Sequence, residues 1–131
     1  MSQKTINPRH RRPYAPEDLM VLRGPGSNYE QGSHWVVGDD HGYAEIILMR
    51  DAKAYQPNTL YIENIVIKEH QRGNGYGRAL SEKIEVFARN IGVDFIQIDS
   101  EADAVGFWEK MNYDKLDLVY YQNKIAMIKE L

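Results

Sequence analysis

Gln71-Arg72-Gly73-Asn74-Gly75-Tyr76-Gly77 stands between the apolar run Leu60-Tyr61-Ile62-Glu63-Asn64-Ile65-Val66-Ile67 and a long segment of helical periodicity. A strand that feeds alternating glycines into a helix start exposes consecutive backbone N–H groups. Those orphan donors and the positive end of the helix dipole make a site for phosphate. Glycines lack Cβ atoms, so an anion can approach the backbone closely. No lysine or hydroxyl follows Gly77, which excludes the Walker loop, and Arg78 stands where the dinucleotide fingerprint needs Gly or Ala. What remains is Arg/Gln-x-x-Gly-x-Gly, carried by Arg72, Gly75 and Gly77; the alternative is a plain turn between strand and helix.

The 131 residues suit one domain, 1–131, with an irregular and reduced part at 1–32. A formal charge of −3 gives no reason to expect nucleic-acid binding. The absence of cysteine excludes an acyl-cysteine intermediate, a thiolate metal site and disulfides, and is compatible with a reducing cytoplasm, the expected location. No apolar run reaches the ~18 residues of a membrane span, and no signal-peptide core is visible at the start.

Pro16-Glu17-Asp18-Leu19 reads as a first helical turn ending by about Leu22, before Gly24. Arg9-His10-Arg11-Arg12 reads as a solvated arm, with a polyanion contact as the alternative. Ser33–Val37 and Gly42–Met49 predict an antiparallel hairpin. Leu60–Lys68, apolar except at Glu63 and Asn64, predicts a central strand covered on both sides. A helix is expected from about Asn74 to Ile91, with Tyr76, Leu80, Ile84, Phe87, Ala88 and Ile91 on one stripe and a stop at Asn90 and Gly92. Val93–Asp99 then completes a strand–helix–strand unit with parallel pairing. A shorter helix, Asp103–Met111, precedes a terminal hairpin of Leu116–Tyr121 and Lys124–Ile128 through Gln122-Asn123.

From Tyr43 to about Ile128 the chain resembles the GNAT superfamily of acetyl-CoA-dependent N-acetyltransferases, on the glycine loop and on Ala104-Val105-Gly106-Phe107-Trp108-Glu109-Lys110-Met111-Asn112-Tyr113. Within it, Tyr61–Ile67 and Val105–Trp108 look most like glucosamine-phosphate N-acetyltransferases. The resemblance implies an α/β (α+β) fold: a mixed, mostly antiparallel sheet with splayed central strands and helices on both faces. Acetyl-CoA would lie in the gap, its pantetheine and thioester carbonyl on the backbone of Ile65, Val66 and Ile67. The pyrophosphate would sit on Gln71, Arg72, Gly73, Asn74, Gly75, Tyr76, Gly77 and Arg78, with Phe107 and Trp108 beside the cofactor. Three positions depart from the pattern. Ala104 replaces the usual asparagine, Trp108 replaces the usual tyrosine that protonates the leaving thiolate, and too few residues precede the first hairpin for the family's two full helices.

The implied chemistry is attack of a primary amine on the thioester, which needs a proton acceptor at neutral pH. Glu63 is the candidate base, because desolvation in an apolar strand would move a carboxylate pKa upward; an ion pair holding the sheet is the alternative. Asn64 either orients substrate or bonds across strands. Asp99 either binds the substrate ammonium or caps the segment ahead of Asp103. Trp108 packs on pantetheine or in the core, leaving Tyr113, Tyr120 and Tyr121 as candidate phenols. His10, His34, His41 and His70 show no metal-ligand spacing and read as surface or turn residues, so no metal is expected. Two function classes follow. One is an N-acetyltransferase acting on a small amine such as an amino sugar, polyamine or amino acid, with protein lysine as a variant. The other is a non-catalytic acyl-CoA-binding or interaction module. Partners are acetyl-CoA and the amine, with no membrane and a homodimer left open.

Overall fold

The computed structural model describes residues 15–29, 32–49, 57–68, 75–116 and 124–131. Among them, seven strands form one sheet: β1 (Met20–Tyr29), β2 (Gly32–Asp39), β3 (Gly42–Met49), β4 (Thr59–Ile67), β5 (Phe95–Glu101), β6 (Asp114–Lys115) and β7 (Lys124–Glu130). Their order across the sheet is β1-β2-β3-β4-β5-β7-β6. Two helices flank it, α1 (Tyr76–Ile91) and α2 (Val105–Lys110), the second led in by a 3₁₀ turn at Ala102–Ala104.

All strand pairs are antiparallel except β4 with β5, the pair joined by α1. That is the strand–helix–strand unit expected from the sequence. The parallel register runs from Thr59↔Phe95 to Ile62↔Ile98 and stops there, although both strands continue. The two central strands therefore part beyond Ile62, and the expected splay is present. The result is a mixed, mostly antiparallel sheet of the GNAT type.

The chemistry of α1 is read from its buried face. Leu80, Ile84, Phe87 and Ala88 are fully buried against Val37, Ile46, Leu60 and Ile96, and Phe87 meets the Trp35 ring edge-on at 5.3 Å. Fully burying such side chains stabilises by about 1.5–3 kcal/mol each. Gly92 ends the helix in the left-handed region, φ 85, its N–H donating to Ala88 and Arg89 carbonyls. Charged pairs clasp the flanks of α1: Lys83 to Asp39 at 2.9 Å, and Glu85 to Lys129 of β7.

Two expectations are corrected. Pro16–Leu22 is not a helix. Leu19 N–H donates to Pro16 O at 3.0 Å, a single turn, and Met20 then enters β1, pairing with Gly38. One turn is too short a helical nucleus to survive alone, whereas the open edge of β2 offers a ladder of partners. Gly24, at φ 103, lies so close to His34 O that a Cβ would collide with it. The region 1–32 is thus not wholly irregular. The terminal strand pair also starts earlier than expected, at Asp114–Lys115 against Met127 and Ile128; Gln122-Asn123 lies outside the described residues.

Candidate functional site

Where β4 leaves β5, a cleft of about 500 Å³ opens. Its walls include Glu63, Asn64, Ile65, Val66 and Ile67 of β4, and Asp99, Ser100 and Glu101 of β5. Gly77 of α1 and Ala104, Phe107 and Trp108 of the second helical segment close it. The strand alternates its backbone direction. Lys68 N–H donates to His41 O, and Val66 O points the same way, toward Gly42 of β3. The N–H and C=O groups of Ile65 and Ile67 consequently turn the other way, into the gap. A sheet edge opened in this manner is suited to an extended amide-bearing ligand such as pantetheine.

At one end of the cleft lies the start of α1. Gly75 holds it in the left-handed region, φ 81, and no side chain caps the exposed N–H groups. No acidic residue occupies the first turn, so among the described residues that turn carries no charge to oppose an anion. A Cβ on Gly77 would reach Phe107 at 3.6 Å and Ile67 at 3.7 Å, which places this turn against the cleft wall. Tyr76 stacks flat on His41 at 3.5 Å, and Arg78 is exposed and paired with Glu82 at 3.3 Å. Gln71, Arg72, Gly73 and Asn74 lie outside the described residues.

Glu63 sits in the cleft for a reason invisible in sequence. Glu45 pairs with Asn64 and Ile46 with Ile62, so Glu63 is the extra residue of a β-bulge. It is exposed, and the burial expected to tune it is absent. Asn64 bonds across strands, its amide donating to Glu45 Oε2 at 3.5 Å. Asp99 accepts a hydrogen bond from the Tyr61 hydroxyl at 2.6 Å and lines the cleft; it caps nothing, since the 3₁₀ turn has no side-chain cap.

Tyr113 is not brought to the cleft. It is 3% exposed, packed edge-to-face on Trp108 at 5.1 Å, with Lys129 Nζ 5.9 Å from its ring centroid. Burial pushes its phenol pKa well up, and the Glu85 charge adds to this. It is a core residue. Trp108 is a core residue, 3% exposed, and also lines the cleft beside the exposed Phe107, whose ring it meets edge-on at 4.9 Å. Tyr120 and Tyr121 lie outside the described residues.

The sequence analysis missed one constellation. His34 on β2, Glu45 on β3 and Glu63 on β4 bring ligand atoms within 4.8 Å of one another. Three strands assemble it, so no linear spacing announces it; only the shared face of a hairpin and its neighbour could. Histidine with two carboxylates is a donor set that could also hold a divalent ion.

A family model for the acetyltransferase (GNAT) family matches residues 5–113. Among solved structures, the chain is similar to an IAA acetyltransferase from Bacillus cereus ATCC 14579, with 17% identity and a TM-score of 0.59, covering 78% of this chain and 79% of that one. It is similar to a PaiA N-acetyltransferase from Thermoplasma acidophilum in complex with coenzyme A, with 13% identity and a TM-score of 0.58, covering 75% of this chain and 60% of that one. It is also similar to a Bacillus subtilis acetyltransferase in complex with CoA, with 18% identity and a TM-score of 0.57, covering 78% of both chains. At such identities the structural likeness is one of fold, while the family model spans most of the sequence. The chain belongs to the acetyltransferase (GNAT) family.

Proposed function

We propose that the protein is an N-acetyltransferase that moves an acetyl group from acetyl-CoA to a primary amine of a small molecule by direct attack in a ternary complex. The observation that carries this reading is the parting of β4 from β5 after Ile62↔Ile98, which lays a carboxylate, Glu63, along the same cleft as the start of α1. In this reading Ile65 and Ile67 receive the pantetheine amides, Phe107 and Trp108 wall the cofactor, and the loop from Gln71 to Arg78 binds the pyrophosphate. Glu63 accepts the amine proton, directly or through water. The amine nitrogen bonds to the thioester carbon, the carbon–sulfur bond breaks, and the thiolate takes its proton from water. A thiol of pKa about 8.5 is an adequate leaving group without a protein acid.

A second reading rests on a specific observation. Ala104 offers no amide to the cofactor and the described aromatic hydroxyl near α2, Tyr113, is buried, so an acyl-CoA-binding module without turnover fits the same cleft. A thiol-release assay with acetyl-CoA and a panel of amino sugars, amino acids, polyamines and a lysine peptide separates them. Turnover of any member supports the enzyme. Tight CoA binding with no thiol release from any member supports the module.

A further inference from the structure

We infer that His41 is a positioning residue for the cofactor: its ring holds the first residue of α1 so that the N–H groups of that turn face the CoA phosphates. The inference rests on the reading above in which CoA phosphates occupy the start of α1, whether or not an acyl group is then transferred. That start carries little support of its own. Gly75 is left-handed, no side chain caps it, and a Cβ there would meet nothing within 4 Å. The first hydrogen bond of the helix runs from Ala79 N–H to Gly75 O at 3.1 Å. The N–H groups of Tyr76, Gly77 and Arg78 therefore have no partner within the helix. Helix ends fray, and donors that must be ordered on binding hold an anion less tightly than donors already fixed.

The support comes from the turn between β2 and β3. His41 lies flat on the Tyr76 ring, with centroids 3.5 Å apart and planes 9° from parallel. Asp39, in the same turn, takes Lys83 of α1 at 2.9 Å. Tyr76 and Lys83 stand about two helical turns apart and so share one face of α1. Contacts at both pin the helix along its flank and fix its rotation about its own axis, which a single contact would leave free. The same turn also holds the residue that follows β4. Lys68 N–H donates to His41 O at 2.9 Å, and Lys68 Nζ to Asp40 O at 2.8 Å. Asp39 Oδ1 stiffens the turn by accepting from the N–H groups of His41 and Gly42. One short turn thus grips the chain where β4 ends and again where α1 begins. The His41 ring is the part of this grip that can be removed without touching the backbone bonds or the ion pair.

The test is calorimetric titration of wild type, His41→Ala and His41→Phe with CoA and with pantetheine, which lacks the phosphates, beside melting curves of the free proteins. Phenylalanine keeps a flat ring on Tyr76 and alanine does not. His41 is part-buried in a turn whose backbone bonds both variants keep, so the fold is retained, and the melting curves verify it. The expected result is a CoA Kd about tenfold higher in His41→Ala and within about twofold of wild type in His41→Phe. The pantetheine Kd should be the same in all three proteins. A CoA affinity equal in all three would overturn the inference and leave the cofactor reading standing. Equal weakening of CoA and pantetheine in His41→Ala would also overturn it, because the turn would then act on the whole cleft rather than at the phosphates. A loss that His41→Phe fails to restore would overturn it in favour of a direct contact between the imidazole and a phosphate. A wild type that binds no CoA would remove the cofactor reading itself, and this inference with it.

Discussion

At the scale of single residues, side chains of similar type are sorted by packing into very different roles. Glu63 and Tyr113 both look like acid–base groups in the sequence. The bulge in β4 puts Glu63 at the cleft, and the contact with Trp108 seals Tyr113 into the core. Glu63→Gln is therefore expected to lower kcat by roughly 10²–10⁴ with CoA affinity and thermal stability nearly unchanged, as read by steady-state rates, calorimetry and melting. Tyr113→Phe removes only a buried hydroxyl and should leave kcat within about twofold; a large loss would restore the phenol to the chemistry. Trp108→Ala opens a void between Phe107 and Tyr113 and should cost about 3–5 kcal/mol in denaturant unfolding. None of this sorting was legible beforehand. A bulge is a property of two paired strands, and burial of an aromatic residue depends on what covers it.

At the scale of elements, legibility follows how local the determining interactions are. The β2–β3 hairpin, the strand β4, the helix α1 and its Gly92 stop are written in short-range periodicity and turn chemistry, and each formed where expected within a few residues. The strand β1 was missed because its formation depends on the distant edge of β2, a non-local reward that outweighs the helix-start signal of Pro16. The turn between β2 and β3 shows how an element supports the site. Asp39 Oδ1 accepts from the N–H groups of His41 at 2.8 Å and Gly42 at 3.1 Å, and Oδ2 takes Lys83 of α1. Gly42 packs against the backbone of Val66 and Ile67, a Cβ there lying 3.1 Å from Ile67 Cα and in collision with Val66 O. Gly42→Ala should thus push β4 outward, costing about 1–3 kcal/mol and weakening CoA binding together. An unchanged melting temperature would show that the hairpin yields freely.

At the scale of the molecule, two ionic clasps tie α1 to the sheet and set the acid limit of stability. Burial works to raise the Asp39 pKa, but the Lys83 hydrogen bond and the amides of His41 and Gly42 outweigh it and hold the carboxyl below its ordinary value. For Glu85, burial is likewise outweighed, by Lys129 and Arg89. Carboxylates with lowered native pKa bind fewer protons folded than unfolded. Their stabilisation is complete above the unfolded values of 3.8 and 4.5 and is lost as pH falls through the lower native values. Asp39→Asn should then destabilise by about 1–3 kcal/mol at pH 7, and the gap from wild type should close below about pH 3. Melting curves from pH 2 to 8 decide it; a gap independent of pH would mean that Asp39 acts through its turn geometry alone.

The proposed function rests on a CoA pyrophosphate held at the start of α1, with the rest of the cofactor along the parted strands β4 and β5. Gly77→Asp tests this most directly. Gly77 is the second residue of α1, and the contacts its Cβ would make are ordinary ones, so the helix accepts a side chain there. An acid in a first helical turn stabilises the helix by about 0.3–1 kcal/mol through the dipole, while its charge would stand at the proposed phosphate site. Calorimetric titration with CoA, beside a melting curve, separates the two effects. The account predicts a CoA affinity at least tenfold weaker in Gly77→Asp, with a melting temperature equal to or above wild type. An affinity unchanged in a variant that folds as well as wild type would contradict it.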